Sequence, residues 1–274
     1  MPLNLIADWD DAYANRDHIP DADGFIARWV EEAAAWRAER AAKSRVDIAY
    51  GPTEREAFDL FLPDGGPEGL LVFVHGGYWR AFSRSDWSHL ARGPVAAGWA
   101  VAMPSYTLCP DATLPEIAAQ VSRAIHQAAT SVQGPIILVG HSAGGQIVTR
   151  LSSAGSVLSR MVVERLHHVV SISGVHDLRP LLKTQINRDL RLDFETAVQE
   201  SPALLHPREG LRFTAWVGGN ERPEFIRQSQ LLANIWLGCG AATRSVIEDG
   251  RHHFDVIDGL EAAESPLCRV ILDG

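Results

Sequence analysis

Residues 140–145 read Gly-His-Ser-Ala-Gly-Gly, and this short stretch decides the fold that we predict for the chain. Residues 135–139, directly before it, form an apolar run typical of a buried strand, and residues 146–151 after it carry apolar side chains at helical spacing. The pattern therefore predicts a sharp strand-to-helix turn with Ser142 at its apex. The glycines two residues to either side of the serine relieve the crowding in such a strained turn.

Ser142 is the first candidate for chemistry. At the apex of the turn its hydroxyl stands clear of the sheet, above the N-terminus of the next helix, where the helix dipole favours a developing anion. The alternative is a Gly/Ser turn without chemistry, because a Gly-x-Ser-x-Gly pattern alone is common. The strand before the turn and the helix after it favour a nucleophile.

Strand-type and helix-type segments alternate along most of the chain, which predicts right-handed βαβ units and a mostly parallel sheet with helices on both faces. Residues 46–50 and 57–62 alternate in polarity and predict an antiparallel pair at one edge. The later predicted strands are residues 70–74, 99–103, 135–139, 169–173, 212–217 and 243–247. Residues 85–97 and 114–130 predict helices between them. The predicted class is α/β, with about eight strands.

Length and charge exclude several classes of protein. A chain of 274 residues with this pattern predicts one domain over 1–274, since α/β sheets of this size often stay single. The net charge of −9 and the lack of a basic run exclude a nucleic-acid partner, and no apolar stretch is long enough to predict membrane insertion. We expect a small-molecule substrate instead. The oligomeric state stays open, with a homodimer among the options.

The cysteines and the N-terminal residues bear on location. The three cysteines, Cys109, Cys239 and Cys268, are odd in number and widely spaced, so they predict neither a disulfide framework nor a zinc site. The first residues lack a basic segment followed by an apolar run, so we expect no signal peptide. Together these observations predict a protein of the reducing cytoplasm.

Two segments lie outside the regular alternation. Residues 1–45 form a helical prelude in which Phe25, Trp29 and Trp36 recur near helical spacing, and we expect this helix to pack on the domain; a flap over the site is the alternative. Residues 178–210 interrupt the alternation of strands and helices between the sixth and seventh strands. Ligands bind at the carboxyl ends of parallel strands, so this insertion is expected to act as a cap that forms part of the pocket wall; ordinary helical padding is the alternative.

A serine nucleophile needs a base, usually a histidine held by a carboxylate. In this architecture the order along the chain is serine, acid, histidine. Glu221 follows the seventh strand and is the predicted acid, with Asp177 after the sixth strand as its rival or as a helix cap. His253 follows the eighth strand and is the predicted base, with the adjacent His252 as the alternative. Adjacent histidines diverge, so no metal site is predicted for this pair.

The loop after the third strand is the candidate oxyanion hole. Gly76 and Gly77 allow the backbone to approach a substrate closely, and their N–H groups can point at a developing oxyanion. The N–H of Ala143, directly after the nucleophile, supplies the second donor. We expect His75 to brace the loop through a hydrogen bond. A Gly-Gly turn without function is the alternative.

Tyr78 and Trp79 follow these glycines and are the candidate substrate-binding residues. Two aromatic rings beside the oxyanion donors would narrow the acyl side of the pocket and stack on a flat aryl leaving group. This predicts small acyl groups and excludes long fatty chains. The alternative is that both are ordinary core aromatics.

Several of these segments resemble a known family. The segments are residues 75–79 (HGGYW), 140–145 (GHSAGG), 221–225 (ERPEF) and 253–255 (HFD). They are similar to the α/β-hydrolase fold and, more narrowly, to the kynurenine formamidase (arylformamidase) group of the esterase/lipase branch. HGGYW is the most specific, since other esterases of the branch tend to carry a third glycine or an alanine where Tyr78 stands. Residues 13–16, 173–181 and 223–229 extend the resemblance over nearly the whole chain.

The resemblance and the candidate residues together imply a metal-free serine hydrolase without a cofactor. Its substrate would carry a small acyl group on an aryl amine or alcohol, with N-formylkynurenine first and short acyl esters of a carboxylesterase second. The kynurenine formamidase group generally has aspartate at the position of Glu221. This chain therefore departs from the group by a side chain that is one methylene longer. A non-catalytic binding protein on the same scaffold is the remote alternative.

Overall fold

One mixed sheet forms the centre of the molecule in the computed structural model, which describes residues 5–274. Within these residues eight strands pair in the order β1-β2-β4-β3-β5-β6-β7-β8. The strands are β1 Ser44–Ala49, β2 Ala57–Phe61, β3 Leu70–Val74, β4 Ala100–Pro104, β5 Ile136–His141, β6 Leu166–Ile172, β7 Arg212–Gly218 and β8 Ala242–Glu248. β1 and β2 pair antiparallel, β2 pairs antiparallel with β4, and the other pairs are parallel. The predicted α/β-hydrolase fold is thereby confirmed.

Helices cover both faces of this sheet. They are α1 Trp9–Tyr13, α2 Ala22–Glu39, α3 Arg92–Ala96, α4 Leu114–Ser131, α5 Ala143–Leu151, α6 Arg160–Arg165, α7 Asn187–Leu190, α8 Phe194–Gln199, α9 Pro223–Gly238 and α10 Pro266–Asp273. Local sequence explains where α4 begins: Thr113 and Glu116 form a capping box, and Pro115 lies in the first turn, where its missing N–H costs nothing. In the described part of the chain no helix is both long and apolar enough to cross a membrane.

The hydrophobic core lies on both faces of the sheet. Successive side chains of a strand point to opposite faces. In β3 the side chains of Leu70, Val72 and Val74 therefore pack in one apolar cluster, while Leu71 and Phe73 pack in the other. All five residues are buried, which explains why this strand lacks polar alternation.

The segment predicted as one helix over residues 85–97 is divided instead. It forms two 3₁₀ turns, Arg84–Asp86 and Ser88–Ala91, followed by the short helix α3. Pro94 explains the division, because a proline clashes with the carbonyl four residues earlier and is tolerated only in the first turn of a helix. A continuous α-helix through this position is therefore excluded.

The two additional segments both reach the end of the sheet where the parallel strands have their carboxyl ends. α2 buries Trp29 and Trp36, as expected for a helix packed on the domain. Residues 178–210 form short helical pieces that include α7, α8 and the 3₁₀ turns Arg179–Lys183 and Pro202–Leu204. The contribution of both segments to the site follows from the cavity described below.

Candidate active site

Ser142 lies at a strained turn between β5 and α5. Its backbone angles are φ 55° and ψ −116°, in the positive-φ region that L-residues rarely adopt, and its N–H donates to the Ile172 carbonyl at 2.8 Å. A Cβ on Gly140 would lie 2.1 Å from the Gly144 oxygen, and a Cβ on Gly144 would lie 1.9 Å from the Val74 oxygen. Only glycine fits at both positions, so these residues permit the turn predicted from the sequence.

Glu221 and His253 form a buried pair. Nδ1 of His253 lies 2.7 Å from Oε2 of Glu221, so the ring donates its Nδ1 proton to the carboxylate. The other oxygen, Oε1, accepts the Gly218 N–H at 2.8 Å and the Ser173 hydroxyl. With both oxygens occupied the carboxylate cannot rotate freely, and the tautomer it selects leaves the His253 Nε2 lone pair available as a base. Ser173 was not identified from the sequence.

Ser142 and His253 line the same cavity, which has a volume of about 400 Å³. His141 connects their two loops, because its Nε2 donates to the His253 carbonyl at 3.0 Å. Burial holds the pKa of His141 well below its ordinary value, so this ring is a neutral donor. Between the described side chains of Ser142 and His253 no hydrogen bond is formed; catalytic hydrogen bonds of this kind often tighten only when substrate binds.

The structure separates the two adjacent histidines. The His252 Nδ1 accepts the N–H groups of Phe254 and Asp255 at 3.2 and 3.3 Å, and its ring packs edge-on against Phe25. This ring is therefore used in local structure. His253 is the one that contacts Glu221.

Asp177, the rival acid, does not reach either histidine. Its carboxylate makes two contacts of 2.9 Å with the Arg179 guanidinium. Burial alone would raise the pKa of the Asp177 carboxyl, but the Arg179 contacts hold it below its ordinary value. Asp177 is thus the acidic partner in a local ion pair.

The loop after β3 packs directly against Ser142. A Cβ on Gly76 would lie 2.9 Å from the Ser142 Cβ, so glycine is required for this approach. Gly77 has a φ of 103° and lines the cavity, while Ala143 is the first residue of α5. The three predicted oxyanion donors therefore belong to two segments that meet at Ser142.

His75 makes the expected hydrogen bond within this loop. Its Nδ1 lies 2.8 Å from the Gly76 carbonyl, and its ring stacks on Tyr106 with centroids 4.5 Å apart. Burial lowers the pKa of His75 to about 4, so the ring is neutral and acts as a donor. It does not line the cavity, in agreement with a bracing role.

The side chains of Tyr78 and Trp79 lie in different environments. The Tyr78 ring lines the cavity, and its hydroxyl donates to the Tyr13 carbonyl at 2.6 Å. Trp79 is fully buried in the core, where its indole N–H donates to Gln146 Oε1 at 3.1 Å. The expectation that Trp79 lines the pocket is therefore wrong. The reason is that the core supplies apolar surroundings for the Trp79 ring and a partner for its indole N–H.

Aromatic rings form part of the cavity lining. The ring of Trp29 contacts Trp87 and Phe254 with centroids 4.6 and 4.9 Å apart, and Phe82 packs edge-on against Trp87 at 5.2 Å. Trp29 belongs to α2, so the packed helix of the N-terminal prelude also forms part of the site. The insertion over residues 178–210 adds Ile186 to the lining. Both segments therefore contribute side chains to the cavity wall. Sequence analysis did not identify which side chains these are.

Asn15 is the second functional candidate that was missed. It is only 4% exposed, and in the described part of the chain neither its amide oxygen nor its amide nitrogen has a hydrogen-bond partner. It lines both the cavity that contains Ser142 and a smaller cavity beside Glu221. Buried amides are nearly always hydrogen-bonded in folded proteins. The only sequence signal for Asn15 is the resemblance over residues 13–16.

Comparisons with known proteins bear on the family to which the chain belongs. A family described as alpha/beta hydrolases matches residues 71–271. Kynurenine formamidases from Danio rerio and Salmo salar are 27% and 28% identical over 246 and 249 residues, covering 86% of this chain and 83% of each relative.

Solved structures give the same result for the fold. A protein from Silicibacter sp. TM1040, provisionally described as a thioesterase, is 46% identical, with a TM-score of 0.92 over 96% of this chain and 98% of that one. Esterase B from Lactobacillus rhamnosis shares the fold, with a TM-score of 0.68 and 17% identity over 91% of this chain and 92% of that one.

Proposed function

The chain belongs to the alpha/beta hydrolase family, and from that premise we propose that it is a serine hydrolase that cleaves small-acyl amides or esters. Its first proposed substrate is an aryl formamide such as N-formylkynurenine. One observation carries the proposal: His253, joined to Glu221 at 2.7 Å, lines the same cavity as Ser142 at its strained turn. The similarity to kynurenine formamidases supports the choice of substrate.

The proposed reaction has two stages. In the first, the Ser142 oxygen attacks the carbonyl carbon while His253 Nε2 accepts the hydroxyl proton. The N–H groups of Gly76, Gly77 and Ala143 stabilise the oxyanion, and loss of one good donor of this kind typically lowers turnover by about 10²–10³-fold. The tetrahedral intermediate then expels the amine or alcohol, which takes the proton from His253, and leaves an ester on the serine.

In the second stage water attacks this ester. His253 accepts a proton from the water, a second oxyanion forms at the same donors, and its collapse releases the acid and returns the proton to the Ser142 oxygen. Glu221 stays ionised throughout and stabilises the imidazolium that forms in each stage. No metal ion or organic cofactor takes part in this sequence.

The cavity lining supports an aryl leaving group. Trp29, Phe82, Trp87 and Phe254 present aromatic surface, on which an aryl ring can stack with about 0.5–1.5 kcal/mol beyond its simple burial. The Asn15 amide, which has no partner within residues 5–274, offers both a donor and an acceptor to a polar substituent of the substrate. N-formylkynurenine has an aryl ring and polar substituents of this kind.

The test of this function is a side-by-side measurement of kcat/KM for N-formylkynurenine, 4-nitrophenyl acetate and an acetyl thioester. A preference for the formamide by at least about 10-fold is expected, corresponding to about 1.4 kcal/mol of transition-state binding. A short-chain carboxylesterase is the second candidate, and the relative of 46% identity that is provisionally described as a thioesterase is the reason to include the thioester. Rapid turnover of the esters without turnover of the formamide would replace the first proposal by the second.

Acyl-chain length gives a further prediction. We expect kcat/KM for 4-nitrophenyl esters to fall by about 10-fold or more from C2 to C8, because the Tyr78 ring beside the oxyanion loop is held by its bond to Tyr13 and cannot turn away freely. Tyr78→Ala should move the optimum to longer chains, and Tyr78→Phe, which keeps the ring but loses the bond to Tyr13, should move it less. An optimum at C8 or longer in the wild-type protein contradicts a small acyl site.

Replacement of the acid gives the next prediction. Glu221→Gln should lower kcat/KM by about 10³–10⁴-fold, because the amide keeps the shape but no longer stabilises the correct tautomer or the imidazolium of His253. Asp177→Asn is the matched control and should stay within about 10-fold of wild type, since Asp177 pairs with Arg179. If Asp177→Asn is inactive and Glu221→Gln retains activity, the acid has been assigned to the wrong strand.

A further inference from the structure

A second group of chemically capable side chains lies outside the catalytic cavity. Glu32 on α2, His89 in the 3₁₀ turn Ser88–Ala91 and Glu261 in the 3₁₀ turn Asp258–Glu261 each offer one donor atom, and these atoms all lie within 4.8 Å of one another. None of the three lines the cavity that contains Ser142. The hydrolysis described above makes no use of them.

His89 is the unusual member of this group. Its side chain is fully buried, and neither ring nitrogen has a hydrogen-bond partner among the residues that the structure describes. Oε2 of Glu32 lies 4.0 Å from the His89 Nε2, and within residues 5–274 this oxygen is also buried without a partner. Buried polar atoms that lack partners are rare because each forfeits its hydrogen bonds to water. Two such atoms facing each other indicate that a further group belongs between them.

The charges around the cluster indicate the sign of that group. Three carboxylates, Glu32, Asp258 and Glu261, face two guanidiniums: Arg28 lies 3.9 Å from Glu32 and 3.2 Å from Asp258, and Arg92 lies 3.0 Å from Glu261. Two guanidiniums facing three carboxylates leave these side chains one positive charge short, so the missing group is a cation.

We propose that Glu32, His89 and Glu261 form a binding site for a divalent transition-metal ion, with Zn²⁺ as the preferred occupant. One neutral imidazole nitrogen and two carboxylate oxygens are ligands that Zn²⁺ accepts, with a water molecule completing four-coordination. Zn–ligand bonds of about 2.0–2.2 Å require the donor atoms to approach one another by about 1 Å. Rotation of the two glutamate side chains supplies this movement, and each carboxylate keeps a second oxygen for its arginine.

The position of the site gives the ion a structural role. Its ligands join α2 to the 3₁₀ turn Asp258–Glu261, which follows closely after the His253 loop. Trp29 on the same helix forms part of the cavity wall. The ion would therefore hold the wall against the rest of the domain and stabilise the folded protein. The ligands are far apart in the sequence, which is why no ligand spacing predicted the site.

The test is zinc retention by the full chain. Protein stripped with a chelator is dialysed against Zn²⁺ and then against buffer, and bound metal is counted by elemental analysis. We expect one Zn²⁺ per wild-type chain and a rise in Tm of about 5 °C or more at saturating metal. The Glu32→Gln/Glu261→Gln double variant should lose the ion and the rise in Tm. Glu264→Gln, an exposed neighbour, should keep both, and so should Ser142→Ala.

The variants distinguish loss of zinc from loss of folding. Both glutamates of the double variant are partly exposed, so it is expected to fold; far-UV circular dichroism checks this. His89→Gln serves as an independent second variant. If wild-type protein retains no zinc, or if both variants retain as much as wild type, the proposal is wrong. Loss of zinc in Ser142→Ala would place the ion in the catalytic cavity and also overturn it.

Discussion

Ser142→Ala is expected to lower kcat/KM by about 10⁴–10⁶-fold while leaving the fold unchanged, since removing the nucleophile of a triad costs about as much as removing the whole triad. Alanine keeps the Cβ of serine, so the strained backbone at φ 55° carries no additional cost. The hydroxyl lines a cavity, and its loss therefore leaves no gap in the core. The measurement is steady-state turnover of N-formylkynurenine and 4-nitrophenyl acetate, with Tm as the check on folding.

A covalent label strengthens this test. A fluorophosphonate probe should modify wild-type protein at Ser142 and leave Ser142→Ala unlabelled, because only an activated serine attacks phosphorus at a useful rate. Ser131→Ala, at the exposed end of α4, is the matched control and should be labelled like wild type. Absence of labelling in wild-type protein would support a non-catalytic protein on this scaffold. Activity above a tenth of wild type in Ser142→Ala would exclude Ser142 as the nucleophile.

His253→Ala is expected to lower turnover by about 10³-fold or more, and His252→Ala by less than about 10-fold. The difference follows from their contacts: the His253 Nδ1 lies 2.7 Å from Glu221, whereas the His252 Nδ1 accepts two local N–H groups. Residual activity in the His253 variant should come from the oxyanion donors and from substrate binding. The two adjacent positions thus form a matched pair.

Folding must be checked, because His253 is buried and its ring packs edge-on against Phe225. His253→Asn fills more of this space than alanine and serves as the second variant. Both His253 variants should show a native Tm within a few degrees of wild type, together with the loss of turnover. A larger loss for His252→Ala than for either His253 variant would mean that the wrong ring has been assigned as the base.

The amino-acid sequence alone determined the fold class. Apolar runs such as residues 70–74 between helix-type segments predict central strands covered on both faces, and the glycines around Ser142 permit a sharp turn from strand to helix. Both features are local, so they can be recognised without knowledge of distant contacts. The eight strands and their mostly parallel pairing were therefore predicted correctly.

Tertiary structure decided the contacts between residues distant in the sequence. Sequence order ranked Glu221 above Asp177 and His253 above His252, but only the packed chain shows which carboxylate meets which ring. Sequence analysis assigned Tyr78 and Trp79 the same role, because the direction of an aromatic ring depends on the space and the hydrogen-bond partners around it. For Trp79 that partner is Gln146 in the core.

The same limit applies to the cavity wall and to the proposed zinc site. Trp29 and Asn15 come from a segment whose helical pattern reveals an apolar face but not what that face covers. Glu32, His89 and Glu261 lie on three separate elements. Local pattern determines which elements form, since it reflects interactions between near neighbours in the chain. Which side chains share a site depends on how those elements pack, and that is a property of the whole fold.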